Sequence, residues 1–275
     1  MTKTIFVLLD GCGYEAAIRN LGFLEHLAED GLGARFCVRG ELPSLSRPMY
    51  ETLLTGLPVH RHGIVNNLMV RRSNCENVFS FCRKNSLSTA AAAYYWVSEL
   101  YCRAPFSPAT DRIQLETEAD IQNGIYYFED CYPDSHVFAD AEFLRSRFDP
   151  DFLMIHSMNV DDVGHRFTSA SREYESAVAK LNEILPACLP FWLEGGRRVL
   201  ITADHGMNRF GLHGGNTEEE RLAPLYLFGP GIVPQVRESP VSELLIAPLL
   251  CRMLGLEPGP EMESLQNCGV TFLEK

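Results

Sequence analysis

The sequence predicts an α/β fold with a mainly parallel central sheet and helices on both faces, and three observations carry that expectation. First, the runs Thr4–Leu9, Asp151–Ser157 and Val199–Ala203 are nearly continuous in apolar residues instead of alternating, as strands buried on both faces are. Second, stretches of helical period lie between them, with Ile18, Leu21, Leu24 and Leu27 in one and Tyr174, Val178, Leu181 and Leu185 in another. Third, the apolar runs give way to polar residues that bind ligands well, namely Asp10, then Asp161 and His165, then Asp204 and His205. The carboxyl ends of strands are where an open α/β sheet gathers its ligands.

Taken in order, Thr4–Leu9 reads as the first strand, and Asp10-Gly11-Cys12-Gly13 turns the chain. One helix is expected from Tyr14 to Ala28, with Gly31 and Gly33 as stop residues. Ala34–Arg39 is a shorter strand. Ser46 stands just ahead of Pro48 and reads as a helix start, with Gly56 as the stop. Capping explains a serine there. A hydroxyl at a helix amino terminus also suits phosphoryl chemistry, because free backbone N–H groups and the helix dipole favour an anion. The stretch Leu57–Asn67 is a loop in which His60 and His62 take turn roles.

Residues 68–150 are the least patterned third, and a small cap insertion with a specificity role is expected there. Within it, Ser88–Trp96 reads as a buried strand, Asp120–Phe128 and Ala139–Phe148 as helices, and His136–Ala139 as a strand between them. Beyond Asp151–Ser157, a long helix is expected from Ser171, interrupted at Pro186. Val199–Ala203 ends in Asp204-His205-Gly206-Met207, and His213 follows in His213-Gly214-Gly215. Pro224–Phe228 reads as a strand and Leu244–Leu254 as a closing helix. With no linker or internal repeat evident, residues 1–275 are expected to form a single domain.

A chain of 275 residues that is 46% hydrophobic has room for a large core. Its net charge of −12 leaves no broad basic footprint for nucleic acid. The amino-terminal run Ile5–Leu9 is too short to span a membrane and ends at Asp10, so neither a signal peptide nor an anchor is expected. Nine cysteines without a C-x-x-C pair fit reduced thiols in a cytoplasmic protein.

The strand ends and their loops thus supply Asp10, Ser46, Asp161, His165, Asp204, His205 and His213. Carboxylate oxygen and imidazole nitrogen suit zinc or a similar transition metal. Asp161 and His165 are four apart and share one face of a helical turn, and Asp162 is three from the same histidine, so spacing alone does not choose between them.

In this order the motifs resemble the alkaline phosphatase superfamily. They are Asp-Gly at the first strand end, Ser before a Pro-containing helix ending Thr-Gly, then His-Gly-Ile, Asp-x-x-x-His, Asp-His-Gly-Met and a late His-Gly-Gly. The resemblance covers roughly residues 4–67 and 150–230 and is strongest to the type I phosphodiesterase/nucleotide pyrophosphatase branch, to which phosphonoacetate hydrolase is close. It implies an alkaline phosphatase-like core and two divalent ions, zinc foremost, with manganese or iron able to substitute. Asp161, His165 and His213 match the ligands of one ion, and Asp10, Asp204 and His205 those of the other. Ser46 falls at the nucleophile, which also touches the second ion. Asp161 is preferred to Asp162 because the family's carboxylate lies four residues before its histidine.

The implied function is hydrolysis of a small anionic phosphate diester, pyrophosphate or phosphonate through a phosphoseryl intermediate. The resemblance also implies a hydrogen-bond donor three residues after the nucleophile. Met49 stands there and cannot donate, which leaves Arg47, Asn66 or Asn67 to replace it and brings a phosphomonoesterase into view as the alternative. A sulfatase is disfavoured because Ser46-Arg47-Pro48 lacks an arginine two residues beyond the proline, where Tyr50 stands. A metal-dependent binding protein that has lost catalysis is the non-enzymatic alternative, and the hydroxyl at position 46 together with the full ligand set argues against it.

Overall fold

A computed structural model describes residues 2–273, so the outermost residues of the expected 1–275 domain (1, 274 and 275) lie outside the described residues. Among the described residues, nine strands form one sheet in the order β4-β5-β3-β6-β1-β7-β8-β2-β9. In chain order these are β1 (Thr4–Leu9), β2 (Gly33–Arg39), β3 (Thr89–Tyr94), β4 (Ile113–Gln114), β5 (Asn123–Tyr127), β6 (Phe152–Ser157), β7 (Arg198–Thr202), β8 (Leu222–Phe228) and β9 (Gln235–Ser242). The central run β5-β3-β6-β1-β7 is parallel. Strand β8 runs against both β7 and β2, and β4 against β5. The fold is therefore α/β with a mostly parallel central sheet.

Every residue of β1 is buried, which is why its sequence does not alternate. Phe6 and Leu8 enter the core on one face, and Ile5, Val7 and Leu9 the core on the other. The helices are α1 (Tyr14–Asn20), α2 (Gly22–Glu29), α3 (Ser46–Thr55), α4 (Val59–His62), α5 (Val78–Lys84), α6 (Tyr95–Tyr101), α7 (Pro108–Asp111), α8 (Asp134–Phe148), α9 (Asn159–Phe167), α10 (Arg172–Glu194), α11 (Glu218–Arg221) and α12 (Ile246–Leu254). Side chains of α3, α5, α6 and α12 fill the first core, and those of α1, α2, α8 and α10 the second.

Several expectations are corrected by this packing. The helix expected over 14–28 breaks at Leu21, a buried residue outside helical geometry, so that two short helices follow the curvature of the sheet. Asp120–Phe128 is not a helix: Asn123–Tyr127 is β5, buried throughout and paired with β3. His136–Ala139 is not a strand but the first half of α8. Its Val137, Phe138, Ala141 and Leu144 form a helical core stripe that outweighs the local strand preference of Val and Phe. Pro186 does not interrupt α10. Leu181, Leu185, Leu189 and Trp192 keep one buried stripe past both Pro186 and Pro190, and that burial offsets a cost of about 3 kcal/mol for an interior proline. Strand β9 carries little apolar signal and was not expected. Within 68–150, β3, β5 and α8 belong to the sheet and its covering layer; the longest stretches with little regular structure are 68–77, which follows on from Asn66 and Asn67, and 102–122, which carries only α7 and the two-residue edge strand β4.

Among the described residues, no helix is long and apolar enough to cross a membrane.

A buried carboxyl at the edge of this core makes stability depend on pH. Glu243 is buried, and its Oε2 accepts the Glu41 N–H at 2.9 Å. Burial pushes its pKa from 4.5 up to about 8. Since the folded value is the higher one, folding takes up a proton. The contribution is complete below about pH 4.5 and is lost as pH rises towards about 8. Glu243→Gln, which keeps the acceptor but cannot ionise, is expected to gain stability relative to the parent protein progressively across that window. Urea unfolding midpoints at stepped pH measure this, and a gap that stays constant with pH contradicts it.

Candidate metal centre

The seven side chains singled out in the sequence converge at one edge of the sheet. Asp10 follows β1, Asp161 and His165 lie on α9 just beyond β6, and Asp204 and His205 follow β7. Ser46 is the first residue of α3, and His213 lies in the long loop between β7 and β8. Ser46 does not cap its helix: Leu45 is the N-cap, and no side-chain cap bond forms. Its Oγ lies instead 3.2 Å from His205 Nε2.

Tight turns allow the approach. Gly11 has φ of +70°, and a Cβ built on it would stand 2.7 Å from the Asp161 Cα, so only glycine lets the end of β1 meet α9 this closely. The Tyr174 hydroxyl of α10 secures the same turn, donating to the Gly11 carbonyl at 2.6 Å and accepting from the Gly13 N–H at 3.2 Å.

Distances divide the cluster without separating it. His205 Nε2 is 3.1 Å from Asp204 Oδ2 and 3.5 Å from Asp10 Oδ1. His165 Nε2 is 3.4 Å from Asp161 Oδ2 and 3.1 Å from His213 Nε2, which is 3.6 Å from Asp161 Oδ1. Ligands about 2 Å from a common ion stand roughly 3–3.5 Å apart, so both groups have the spacing of a coordination shell. One ligand atom each from Asp10, Asp204 and His205 can be chosen within 4.8 Å of one another, and the same holds for Asp161, His205 and His213. His205 is thus the hinge between the groups, its ring stacked on His213 at 3.6 Å between centroids. Spacing had left Asp161 and Asp162 open. Asp161 faces the histidines, whereas Asp162 turns away and pairs with Arg166 at 3.3 Å.

Hydrogen bonding shows what the cluster lacks. Each imidazole has its Nδ1 on a backbone carbonyl: His165 on Gly211 at 2.8 Å, His213 on Ser44 at 2.8 Å and His205 on Gly206 at 3.0 Å. A carbonyl only accepts, so each Nδ1 carries the proton and each Nε2 lone pair turns towards the others. Three carboxylate oxygens facing them (Asp10 Oδ1, Asp161 Oδ1 and Asp204 Oδ2) are buried without a hydrogen-bond partner. Buried acceptors without a donor are costly. The side-chain chemistry fits divalent cations, which satisfy such acceptors at once.

Burial and mutual charge shift the acids and the imidazoles of the cluster. Burial, then the charges of Asp10 and Asp161, push the Asp204 carboxyl well above its ordinary value. Burial would raise Asp10 too, but the His156 hydrogen bond, the charges of His205 and His156 and the Tyr50 hydroxyl hold it below the usual range. The hydrogen bond to Asp161 outweighs burial and raises His165 to about 9, so a cation taken up by this ring must displace a proton from Nε2. Burial and the neighbouring His205 lower His213 to about 4.

The other candidate histidines lie elsewhere. His62 is buried and shapes the loop after α4, its Nδ1 accepting the Ile64 N–H at 3.1 Å and its Nε2 donating to Thr52 Oγ1 at 3.0 Å. His60 is exposed. The loop that His62 holds delivers Asn67, whose Oδ1 accepts the Arg47 N–H at 3.0 Å in the first turn of α3. Arg47 itself is buried, bonded to Glu99 at 2.8 Å and 4.5 Å from the Trp96 ring centre. Met49 points into the core, and Asn66 accepts from the Leu68 N–H at 2.9 Å.

His156 escaped the sequence reading altogether. It is buried next to the end of β6, with Nε2 3.0 Å from Asp10 Oδ2, and the Tyr50 hydroxyl reaches the same oxygen. The signal available was a histidine inside an apolar strand whose next turn holds two ligands.

Comparison with known proteins agrees with this geometry. Residues 4–216 match the model of the family described as type I phosphodiesterase/nucleotide pyrophosphatase. The GPI ethanolamine phosphate transferase 3 catalytic subunit of Homo sapiens is 27% identical over 160 residues, covering 57% of this chain and 13% of that protein. GPI ethanolamine phosphate transferase 1 of Neurospora crassa is 29% identical over 223 residues, covering 73% of this chain and 21% of its own length. The chain thus spans about a fifth or less of the length of these curated relatives. Among solved structures, murine ectonucleotide pyrophosphatase/phosphodiesterase 5 superposes with a TM-score of 0.77 at 13% identity, covering 98% of this chain and 100% of that one. An inactive variant of the same murine protein, solved with AMP, gives 0.76 at 14% identity over 97% and 98% of the two chains. With fold, motif order and family model in agreement, the chain belongs to the type I phosphodiesterase/nucleotide pyrophosphatase family, within the alkaline phosphatase superfamily.

Proposed function

We propose that this chain is a two-metal hydrolase that cleaves a small phosphate diester, pyrophosphate or phosphonate, with Ser46 as nucleophile. The observation that carries the reading is the convergence of three imidazole Nε2 atoms and three unpartnered carboxylate oxygens beside one buried serine hydroxyl. Asp10, Asp204 and His205 hold the ion nearest Ser46, and Asp161, His165 and His213 hold the other. Two divalent ions, zinc foremost, supply a lowered pKa for the serine hydroxyl and positive charge for the phosphoryl oxygens.

The residues then divide the work. Ser46 Oγ, held at the start of α3, gives up its proton to solvent and attacks phosphorus in line as the ester oxygen on the far side departs with the bonding pair. A phosphoseryl enzyme results. Water attacks phosphorus in the second half, the Ser46 Oγ–P bond breaks, and one proton of that water restores the serine hydroxyl. No histidine is assigned as base, because the Nε2 atoms of His165, His205 and His213 are the ones that would hold the ions.

Asn67 replaces the donor that Met49 cannot supply. Its Oδ1 accepts the N–H of Arg47, the residue after Ser46, which leaves the two Nδ2 donors for a nonbridging phosphoryl oxygen. Arg47 does not compete for that role, since Glu99 and Trp96 hold its guanidinium.

A second reading, transfer, shares the first half-reaction: an acceptor hydroxyl takes the place of water. The relatives named as phosphate transferases support it. A phosphomonoesterase remains the alternative hydrolase. The segments 66–77 and 102–122 serve as the cap that selects substrate. All nine cysteines are free thiols, which supports a reducing, cytoplasmic compartment.

Purified protein loaded with zinc or manganese is expected to hold two ions per chain and to release nitrophenol from bis-nitrophenyl phosphate faster than from nitrophenyl phosphate. Ser46→Ala should lower turnover about a thousandfold or more while both ions stay bound. A loaded protein inert towards every phosphate and phosphonate ester, with or without an added alcohol acceptor, would overturn the enzyme reading.

Asn67→Ala should cost about 10²–10³-fold in kcat, the worth of one such donor, with little change in metal content. A kcat within threefold of the parent enzyme refutes the role given to Asn67.

A further inference from the structure

The carboxylate of Asp10 is unlike its two partners in having one oxygen doubly occupied by protein donors. His156 is buried beside the end of β6, next to the end of β1 that carries Asp10. Its Nδ1 receives the Tyr94 backbone N–H at 3.3 Å. A backbone N–H can only donate, so Nδ1 accepts and the ring proton sits on Nε2. That Nε2–H donates to Asp10 Oδ2 at 3.0 Å, and the Tyr50 hydroxyl donates to the same oxygen.

The imidazole has little freedom to do otherwise. The Tyr50 ring meets it edge-on at 4.7 Å, and the rings of Tyr94 and Tyr127 close it in at 6.5 and 6.4 Å. The Tyr127 hydroxyl donates to the His156 carbonyl at 2.9 Å and pins the strand end itself. The consequence falls on the other oxygen. Asp10 Oδ1 is buried without a partner and faces His205 Nε2 at 3.5 Å. Two donors on one oxygen stop the carboxylate from rotating, and they leave one defined lone pair for an ion.

We infer that His156 and Tyr50 are positioning residues that lock Asp10 as a one-oxygen ligand and thereby set the affinity of the ion beside Ser46, and not that of its neighbour. This rests on the two-ion reading above. Neither residue touches the ion or the substrate. Their effect is to remove the orientational freedom that a lone buried carboxylate would lose on binding, and partners of this kind typically govern affinity by 10–100-fold.

The test is zinc binding by the whole chain, measured by competition with a chromophoric chelator and counted by metal analysis. His156→Leu keeps much of the ring's bulk but has no donor. It should weaken one of the two ions by about 10–100-fold and leave the other within about threefold of the parent protein. His156→Gln places an amide N–H close to the lost Nε2–H and should recover most of that affinity. Tyr50→Phe removes the second donor with the ring intact, should weaken the same ion about threefold to tenfold, and stands as the test should His156→Leu fail to fold. A role confined to core packing would lower thermal stability in these variants without moving either affinity. Parent-like affinities at both ions in folded His156→Leu or Tyr50→Phe therefore overturn the inference, as does equal weakening of both ions. A parent protein that takes up no zinc overturns the two-ion reading itself, a result separable from the others because it needs no variant.

Discussion

Three carboxylates buried within a few ångströms of one another repel, and the whole architecture at the carboxyl edge of the sheet is built around that repulsion. Asp10, Asp161 and Asp204 each keep one oxygen without a protein donor. Desolvation and mutual repulsion drive Asp204 well above its ordinary pKa, and neither force is relieved by a basic side chain: no lysine or arginine forms an ion pair with any of the three among the described residues. Among the described residues the partners in reach are imidazoles: His165, His205 and His213, whose Nδ1 atoms are committed to carbonyls, and His156, whose Nε2 donates to Asp10. Divalent cations relieve the repulsion and satisfy the lone pairs together, which is the arrangement expected where a site must neutralise an anionic substrate.

Meeting that constraint shapes the backbone. Parallel strands bring Asp10, Asp161 and Asp204 to one edge, and Gly11 permits the contact between the first two. The Tyr174 hydroxyl from α10 holds the turn, and Ser44 and Gly211 supply the carbonyls that orient His213 and His165. Helix α3 is buried along its whole length, so Ser46 sits on a rigid element and not on a mobile loop. The pairing of Asn67 with the first turn of α3 extends the same rigidity to the loop before α5.

Much of this was legible in the sequence. Strands β1, β6 and β7 announce themselves because burial on both faces produces unbroken apolar runs, and each is followed by ligands within a few residues. The seven candidate residues stood out because metal chemistry demands particular residue types at strand ends, and the fold brings them together. The middle third was harder to read for physical reasons. Strand β5, Asn-Gly-Ile-Tyr-Tyr, is buried on both faces but too short and polar at its start to be told from a helix turn, and α8 opens with residues of strand preference that only tertiary packing makes helical. His156 was missed because its meaning is not local: its partner Asp10 is 146 residues away, and a lone histidine in an apolar strand does not name that partner. Asn67 was one of three alternatives in the sequence; the proposal favours it because Glu99 holds the Arg47 guanidinium and because Asn67, unlike Asn66, bonds the first turn of α3.

The central claim is that these side chains form one bimetallic site. A crystal structure of zinc-loaded protein, with anomalous data collected on both sides of the zinc edge, tests it most directly. The account predicts two anomalous peaks about 4 Å apart. One should be bounded by Asp10, Asp204, His205 and Ser46, and the other by Asp161, His165 and His213. A single peak, or two peaks that leave Asp10 Oδ1 or Asp204 Oδ2 without an ion, would contradict it.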